Sequence, residues 1–297
     1  MIGAMPTERR YVMREKYLVD ADWLANRRDD EDIRVFDTTT LLIPDPERGY
    51  RVESGRDRYV EAHIPGAGFL DLQRDFSDNT SRLRFTLPAA DAFADAAGRH
   101  GITNDDHVVL YTTTNPMWAT RLWWMFRTFG HERVSVLDGG LAAWRNAGYD
   151  VAAGEEHYAG AAYRAQFAAK RVADKDRVLA AISDGASCVL NALDRQQHSG
   201  ESAPYGRAGR ISGSDNVPWS ELLDEDGRFL ANDLIESHFG ATRALDAEQV
   251  ITYCGGGIAA SLDLFALALI GREDGVALYD NSMSEWAQDE SLPMEQG

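Results

Sequence analysis

Cys254 closes the apolar run Val250-Ile-Thr-Tyr and is followed by Gly255, Gly256 and Gly257, then Ile258, Ala259, Ala260 and Ser261. The pattern reads as a short β-branched strand, a turn, and a helix beginning near Ala259 or Ala260 and ending at Ile270. Glycine enters positive φ without steric cost, so three in a row let the turn curl its backbone N–H groups around one point. The helix behind adds unpaired N–H groups and roughly half a positive charge at its N-terminus. A thiol at that focus is expected to ionise readily, because such a terminus favours thiolate over thiol. The predicted chemistry is therefore nucleophilic, with Cys254 as attacking atom and the amides of residues 255–259 as its cradle.

Other uses of a glycine-rich strand–turn–helix fail on the residues present. A phosphate-binding P-loop needs a Lys-Ser/Thr pair that is missing here. A dinucleotide fingerprint needs its third glycine where Ala260 stands. A cysteine phosphatase needs an arginine clamp, and the same Ala260 occupies that place. A thiolate cradle with no cation in its loop suits sulfur transfer better than phosphoryl transfer.

The elements that must position this loop occur twice. Val108-Val-Leu-Tyr-Thr112 returns as Val250-Ile-Thr-Tyr-Cys254, 142 residues on. Val134-Ser-Val-Leu-Asp-Gly-Gly-Leu-Ala-Ala-Trp144 returns as Val276-Ala-Leu-Tyr-Asp-Asn-Ser-Met-Ser-Glu-Trp286 at the same spacing. His63-Ile-Pro-Gly-Ala67 returns as Arg210-Ile-Ser-Gly-Ser214, 147 residues on. Three matches in one order predict two copies of one fold. The expected division is a first domain at 1–151, a linker at 152–172 and a second domain at 173–297.

Within the first copy, strands are predicted at 33–37, 108–112 and 134–137, and helices at 21–26, 89–100, 119–128 and 141–147. The second copy gives strands at 187–191, 250–253 and 276–279, with helices at 174–183, 218–223, 234–240, 259–270 and 282–287. Strands alternating with helices imply an α/β fold, each copy a mostly parallel sheet with helices on both faces. Such sheets bind ligands beyond the carboxyl ends of their strands, which is where Cys254 falls.

Composition narrows the class. A length of 297 residues suits two domains, and 44% hydrophobic with 10% aromatic residues suffices for packed cores. A formal net charge of -18 disfavours nucleic acid and anionic membrane surfaces as partners. Two cysteines, Cys188 and Cys254, make no disulfide framework, and a free reactive thiol fits a reducing, cytoplasmic setting. The polar residues 1–10 lack the apolar segment of a signal peptide, so none is expected, and no apolar run is long enough to span a membrane.

With the cysteine loop, the tandem repeat and the paired Ile-Pro-Gly and Asp-Gly-x-x-x-Trp elements together, the chain resembles the two-domain rhodanese family, over residues 17–293. That family contains thiosulfate and 3-mercaptopyruvate sulfurtransferases. The resemblance implies tandem rhodanese-like domains, the first non-catalytic and the second catalytic, with no metal or organic cofactor. Its persulfide loop maps onto Cys254, Gly255, Gly256, Gly257, Ile258 and Ala259, and Thr112 takes the cysteine's place in the first copy.

The loop lacks the Arg and Lys of thiosulfate-specialised members and lies nearer the Cys-Gly-Ser-Gly-Val-Thr of the mercaptopyruvate branch. Gly256 and Ala259 replace the two hydroxyls of that pattern. Asn191-Ala192-Leu193 replaces the family's Asp-Ala-Arg, and Gln197 replaces an arginine. Arg207 matches an arginine used for the substrate carboxylate, and Arg210 stands in for the usual histidine, so the resemblance moves anion binding to these two. His63 is a candidate proton donor, with a turn-capping role as the alternative, and Trp118 is a candidate pocket wall. Cys188 lies inside a strand and reads as inert core.

The expected function is transfer of a sulfane sulfur from thiosulfate or 3-mercaptopyruvate through a Cys254 persulfide to cyanide or a thiol. Small-molecule donor and acceptor are the expected partners, with a protein thiol as a further acceptor. Two other classes stay open. One is a protein sulfur-relay module, and the other is a non-catalytic rhodanese scaffold, suggested by Leu193 and Gln197.

Overall fold

In a computed structural model that describes residues 13–45 and 49–297, the β-branched runs of each half assemble into a five-stranded parallel sheet. The first half contributes β1 (Leu18–Val19), β2 (Ile33–Asp37), β3 (Thr40–Asp45), β4 (Gly49–Ser54), β5 (Gly68–Phe69), β6 (His107–Tyr111) and β7 (Val134–Leu137). Its sheet runs β1-β7-β6-β2-β5, all neighbours parallel, while β3 and β4 pair as a separate antiparallel hairpin. The second half contributes β8 (Val172–Ala173), β9 (Ser187–Asn191), β10 (Arg210–Ile211), β11 (Asp215–Asn216), β12 (Gln249–Tyr253), β13 (Val276–Tyr279) and β14 (Met294–Glu295). Its sheet runs β8-β13-β12-β9-β11, again parallel throughout. Read side by side the two orders are the same, strand for strand. The internal repeat is therefore a repeat of topology, and β6 and β12 hold the same central place.

Burial explains why these runs read as strands. All residues of β9 and β13 are buried, as expected for parallel strands covered on both faces. On one face of the second sheet, Val189, Ile251, Tyr253, Ala277 and Tyr279 pack with Val178 and Ala181 of the Lys175–Asp184 helix and with Met283 and Trp286. The Ala259–Leu269 helix contacts β12 and β13 and contributes nothing to that cluster, so it lies on the opposite face. Every one of its residues is buried, the pattern of a helix apolar all round. Burying each of its leucines and Phe265 stabilises the fold by about 1.5–3 kcal/mol. It ends where Gly271 turns to a φ of +82° and the Arg272 N–H reaches back to the Leu267 carbonyl at 2.8 Å.

Differences from expectation are local. The strand predicted at 108–112 is His107–Tyr111, and the helix predicted at 218–223 is only a 3-10 turn, Trp219–Leu222. Helices at Arg56–Glu61, Leu72–Asp75 and Arg195–Ser199 were not anticipated, being too short for a periodic signal. The stretch expected as a linker, 152–172, is mostly irregular but not loose. Ala161, Gln166 and Ala168 donate backbone N–H groups to Gly98, Phe129 and Thr128 at 2.8 Å each, and the Val35 N–H donates to the Tyr158 hydroxyl at 3.0 Å. Two compact units result. One is Lys16–Ala168, and the other is Ala169–Gly297 together with the described residues 13–15. Arg14 illustrates the latter, donating to the carbonyls of Phe229 and Leu230 at 3.0 and 2.9 Å. Among the described residues no helix is long and apolar enough to cross a membrane.

Candidate active site

Cys254 follows β12 directly, at the carboxyl end of the central strand of its sheet, and is 2% exposed. Its backbone is held on both sides by the start of the Ser282–Trp286 helix. The Cys254 N–H donates to the Ser282 Oγ at 3.1 Å, and the Cys254 carbonyl accepts the Met283 N–H at 3.0 Å. The next carbonyl, of Gly255, accepts both the N–H and the hydroxyl of Ser284, at 2.8 and 2.7 Å. Four hydrogen bonds thus fix the main chain of the nucleophile and its neighbour. In the sequence the turn after β13 that supplies them, Asp280-Asn281-Ser282, carries only the signal of a strand–helix turn.

The three glycines are not equivalent. Gly257 alone takes a positive φ, +74°, and supplies the sharp turn. Gly255 has an ordinary backbone, but a Cβ on it would overlap the Tyr205 hydroxyl and the ring carbon bearing it. Gly256 would meet only the Ser284 Oγ, at an ordinary 3.7 Å, and it is the one loop residue short of full burial. The expectation that all three serve positive φ is corrected: one does, and a second is glycine because a tyrosine lies against it.

The cradle's donors are available. Among the described residues the N–H groups of Gly255, Gly256 and Ile258 find no acceptor in the protein. Ile258 caps the Ala259–Leu269 helix without a side-chain hydrogen bond, so the leading N–H groups of Ala259 and Ala260 are left open as well. The eleven-residue helix gives this end its partial positive charge, and no acidic residue sits in its first turn. The arrangement can bind and stabilise a localised negative charge next to Cys254.

The other expected site residues have prior engagements. Arg207 donates to the Asp289 carbonyl at 2.8 Å and the Leu292 carbonyl at 3.0 Å. Arg210 pairs with Glu295 at 3.0 Å and also donates to the Gly297 carbonyl. Both guanidinium groups thus tie their loop to the last residues of the chain. His63, in the first unit, is fully buried, stacked on Tyr59 at 4.4 Å, with Nδ1 2.8 Å from the Tyr59 carbonyl and Nε2 3.2 Å from Glu156. Trp118, in the same unit, is 2% exposed and tilts against Phe85 at 5.6 Å. In the first unit's version of the loop, the Thr112 hydroxyl donates to the carbonyls of Thr114 and Asn115 at 3.0 and 3.1 Å, and the Leu141 N–H reaches the Thr112 carbonyl at 3.0 Å.

Cys188 fits an inert role. Burial pushes its thiol up to about 12, reinforced by Asp215, whose carboxylate lies 3.4 Å from the sulfur. Asn191 stands where an aspartate was expected. Its Oδ1 accepts the Leu193 N–H at 3.0 Å, and its Nδ2 lies 3.1 Å from His198 Nδ1. Burial and the neighbouring Arg210 push His198 down to about 4, which favours a neutral ring.

Three residues beside the cysteine loop escaped the sequence reading: Tyr205, Ser282 and Ser284. The two serines lie in the turn that leads to the repeated Trp286, and the repeat marked that turn without placing it beside the loop. Tyr205 had no signal, since its loop carries none of the repeat.

Comparison with known proteins places both halves of the chain in one family. The family described as rhodanese-like domain matches residues 20–147 and 175–289. The 3-mercaptopyruvate sulfurtransferase of Escherichia coli is 34% identical over 286 residues, covering 95% of this chain and 99% of that protein. The thiosulfate sulfurtransferase of Gallus gallus is 33% identical, covering 91% of this chain and 92% of that protein. The crystal structure of SseA from Escherichia coli, described as a 3-mercaptopyruvate sulfotransferase, superposes with a TM-score of 0.79 at 32% identity. It covers 90% of this chain and 98% of that one.

Proposed function

The chain belongs to the rhodanese family, and from that premise we propose that Cys254 takes a sulfane sulfur from 3-mercaptopyruvate or thiosulfate and passes it to cyanide or a thiol. The relatives are named for one donor or the other. The observation that carries the assignment to Cys254 is the open set of backbone donors beside it, on Gly255, Gly256 and Ile258 and at the following helix N-terminus.

The Cys254 thiolate attacks the donor's outer sulfur. The bond from that sulfur to the donor breaks, and its electron pair leaves with sulfite or with the pyruvate enolate. A Cys254 persulfide remains, its terminal sulfur carrying the negative charge that the loop amides stabilise. The acceptor then attacks that terminal sulfur, and the S–S pair returns to Cys254 as thiolate. Catalysis lies in the second copy, because Thr112 gives the first no sulfur nucleophile. The acceptor thiol belongs to a small molecule or a partner protein, and a cytoplasmic setting fits two cysteines that are both free.

Mass spectrometry of the full chain after treatment with either donor should show one added sulfur located at Cys254. A Cys254→Ser variant that still acquires it would overturn the assignment.

A further inference from the structure

The hydrogen bonds around Cys254 fall into two sets, one common to both copies of the fold and one confined to the copy with the cysteine. Thr112 matches Cys254 and Gly140 matches Ser282, so Ala142 stands where Ser284 does. The common bond runs from the Leu141 N–H to the Thr112 carbonyl at 3.0 Å, as from the Met283 N–H to the Cys254 carbonyl. The next carbonyl differs. Among the described residues nothing donates to the Thr113 carbonyl, whereas that of Gly255 receives the N–H and the hydroxyl of Ser284 at 2.8 and 2.7 Å. The shared fold therefore closes without this pair of bonds.

The peptide N–H groups of the two copies diverge as well. Asp37 and Asn191 pair with Tyr111 and Tyr253 in the matching strands, and each accepts the N–H two residues on, from Thr39 and from Leu193. In the first copy Thr39 Oγ1 takes the Thr113 N–H at 2.9 Å. Leu193 has no side-chain acceptor to offer, and the Gly255 N–H stays open. The first copy thus fills this donor from within, and the second leaves it for a ligand.

A peptide unit is planar, and in the trans form found here its C=O and N–H point to opposite sides. Ser284 draws the Gly255 carbonyl toward the Ser282–Trp286 helix, so the Gly256 N–H of the same peptide faces away from that helix. Glycine flanks this plane on both sides, with no Cβ to restrict its rotation. Were the plane to turn over, a carbonyl oxygen would replace an N–H donor on the face where negative charge is stabilised. We infer that Ser284 is a positioning residue of the Cys254 site, its hydroxyl locking the Gly255–Gly256 peptide with the N–H on the open side of the cradle. It acts through the main chain and touches neither donor nor acceptor.

This inference rests on the sulfur-transfer reading above, and its first measurement needs no sulfur donor. Iodoacetamide alkylation is followed at the Cys254 peptide across pH for the parent chain, Ser284→Ala and Ser284→Thr. On the acid limb of the profile Ser284→Ala should react about threefold more slowly, because a hydrogen bond to a charged group is misaimed. At high pH, where any thiol is ionised, its rate should meet or cross that of the parent. Ser284→Thr keeps the hydroxyl and should stay near the parent. With thiosulfate and with 3-mercaptopyruvate, cyanide as acceptor, kcat of Ser284→Ala should fall by a similar factor for both donors, with KM nearly unchanged. An unchanged profile, a loss equal at every pH, or an equal loss in Ser284→Thr would overturn the inference. So would a Ser284→Ala chain that does not fold, since the hydroxyl would then serve the fold. If alkylation changes as expected and neither donor leaves sulfur on Cys254 of the parent, the positioning role stands and the sulfur-transfer reading fails alone.

Discussion

Ser282 accepts the Cys254 amide proton at 3.1 Å while holding a backbone φ of +50°, in the left-handed region. That conformation costs a residue with a Cβ about 1–2 kcal/mol. The equivalent residue of the first unit is Gly140 at a φ of +55°, whose Cβ would overlap the Thr112 carbonyl oxygen. Both copies therefore need this turn, and the second spends a serine on it because the hydroxyl supplies an acceptor to the nucleophile's N–H.

Replacing Ser282 should separate strain from acceptor. Ser282→Ala keeps the strained φ and leaves a buried amide unpaired, for a loss of about 1–3 kcal/mol. Ser282→Gly loses the same acceptor but relaxes the backbone, so it should be the more stable of the two. Urea unfolding midpoints of the three proteins decide it. An alanine variant as stable as the parent would mean the hydroxyl is not holding the loop.

Gly255 and Tyr205 should behave as a coupled pair. Gly255→Ala drives a methyl into the Tyr205 hydroxyl, and Tyr205→Ala opens that space. In a double-mutant cycle the second change should recover about 0.5–3 kcal/mol of the first, the range for residues in contact. Gly257→Ala meets a different obstacle, its φ of +74°, and no change at Tyr205 should relieve it. Gly256→Ala should unfold within about 0.5 kcal/mol of the parent, the usual range for an uncrowded site. Additive effects at 255 and 205 would show that the loop yields instead of colliding.

Much of this was legible in the sequence, for identifiable reasons. Interior strands such as Ser187–Asn191 and Val276–Tyr279 are buried on both faces, and their apolar residues 188–190 and 276–279 stand out as continuous runs. Edge strands such as Asp215–Asn216 are two residues long, too short for any period. At the site, Cys254 and its turn were visible because a glycine run at the end of a strand is rarely a packing accident. The separate reasons for Gly255 and Gly257 were not visible, because one depends on a tyrosine fifty residues away in sequence and the other on φ. Arg207 and Arg210 looked like anion contacts because a sequence displays charge but not its partners, here backbone carbonyls and Glu295.

Arg207 should hold its loop to the chain around residue 290. Its fork spans the Asp289 and Leu292 carbonyls, a geometry that lysine cannot reproduce with a single ammonium. Arg207→Lys should therefore lower the unfolding free energy by about 1 kcal/mol for each lost bond. Urea midpoints check it, and a variant as stable as the parent would mean that the guanidinium is not holding this loop.

Asp37 gives the first unit a pH dependence of known sign. Its Oδ1 accepts the N–H and hydroxyl of Thr39 at 2.8 and 2.5 Å, while its Oδ2 is buried without a partner among the described residues. Burial pushes the carboxyl up to about 6, and the Thr39 bonds offset this only in part. The folded chain thus holds this proton more tightly than the unfolded chain, whose aspartate titrates near the ordinary 3.8. The stabilisation is complete below that value and is lost as pH rises through about 6, for a total of about 3 kcal/mol by neutrality. Asp263 in the Ala259–Leu269 helix runs the same way, since burial raises its unpartnered carboxyl well above the usual range. His107 and His198, pushed down to about 4 by burial, run oppositely, so the profile of the parent alone is a mixture. The difference between Asp37→Asn and the parent isolates the group. Between about pH 4 and pH 7 the unfolding free energy of the variant should gain on the parent by roughly 2–3 kcal/mol. A difference that stays constant with pH would mean that the carboxyl is already ionised in the folded chain and that water reaches its open oxygen.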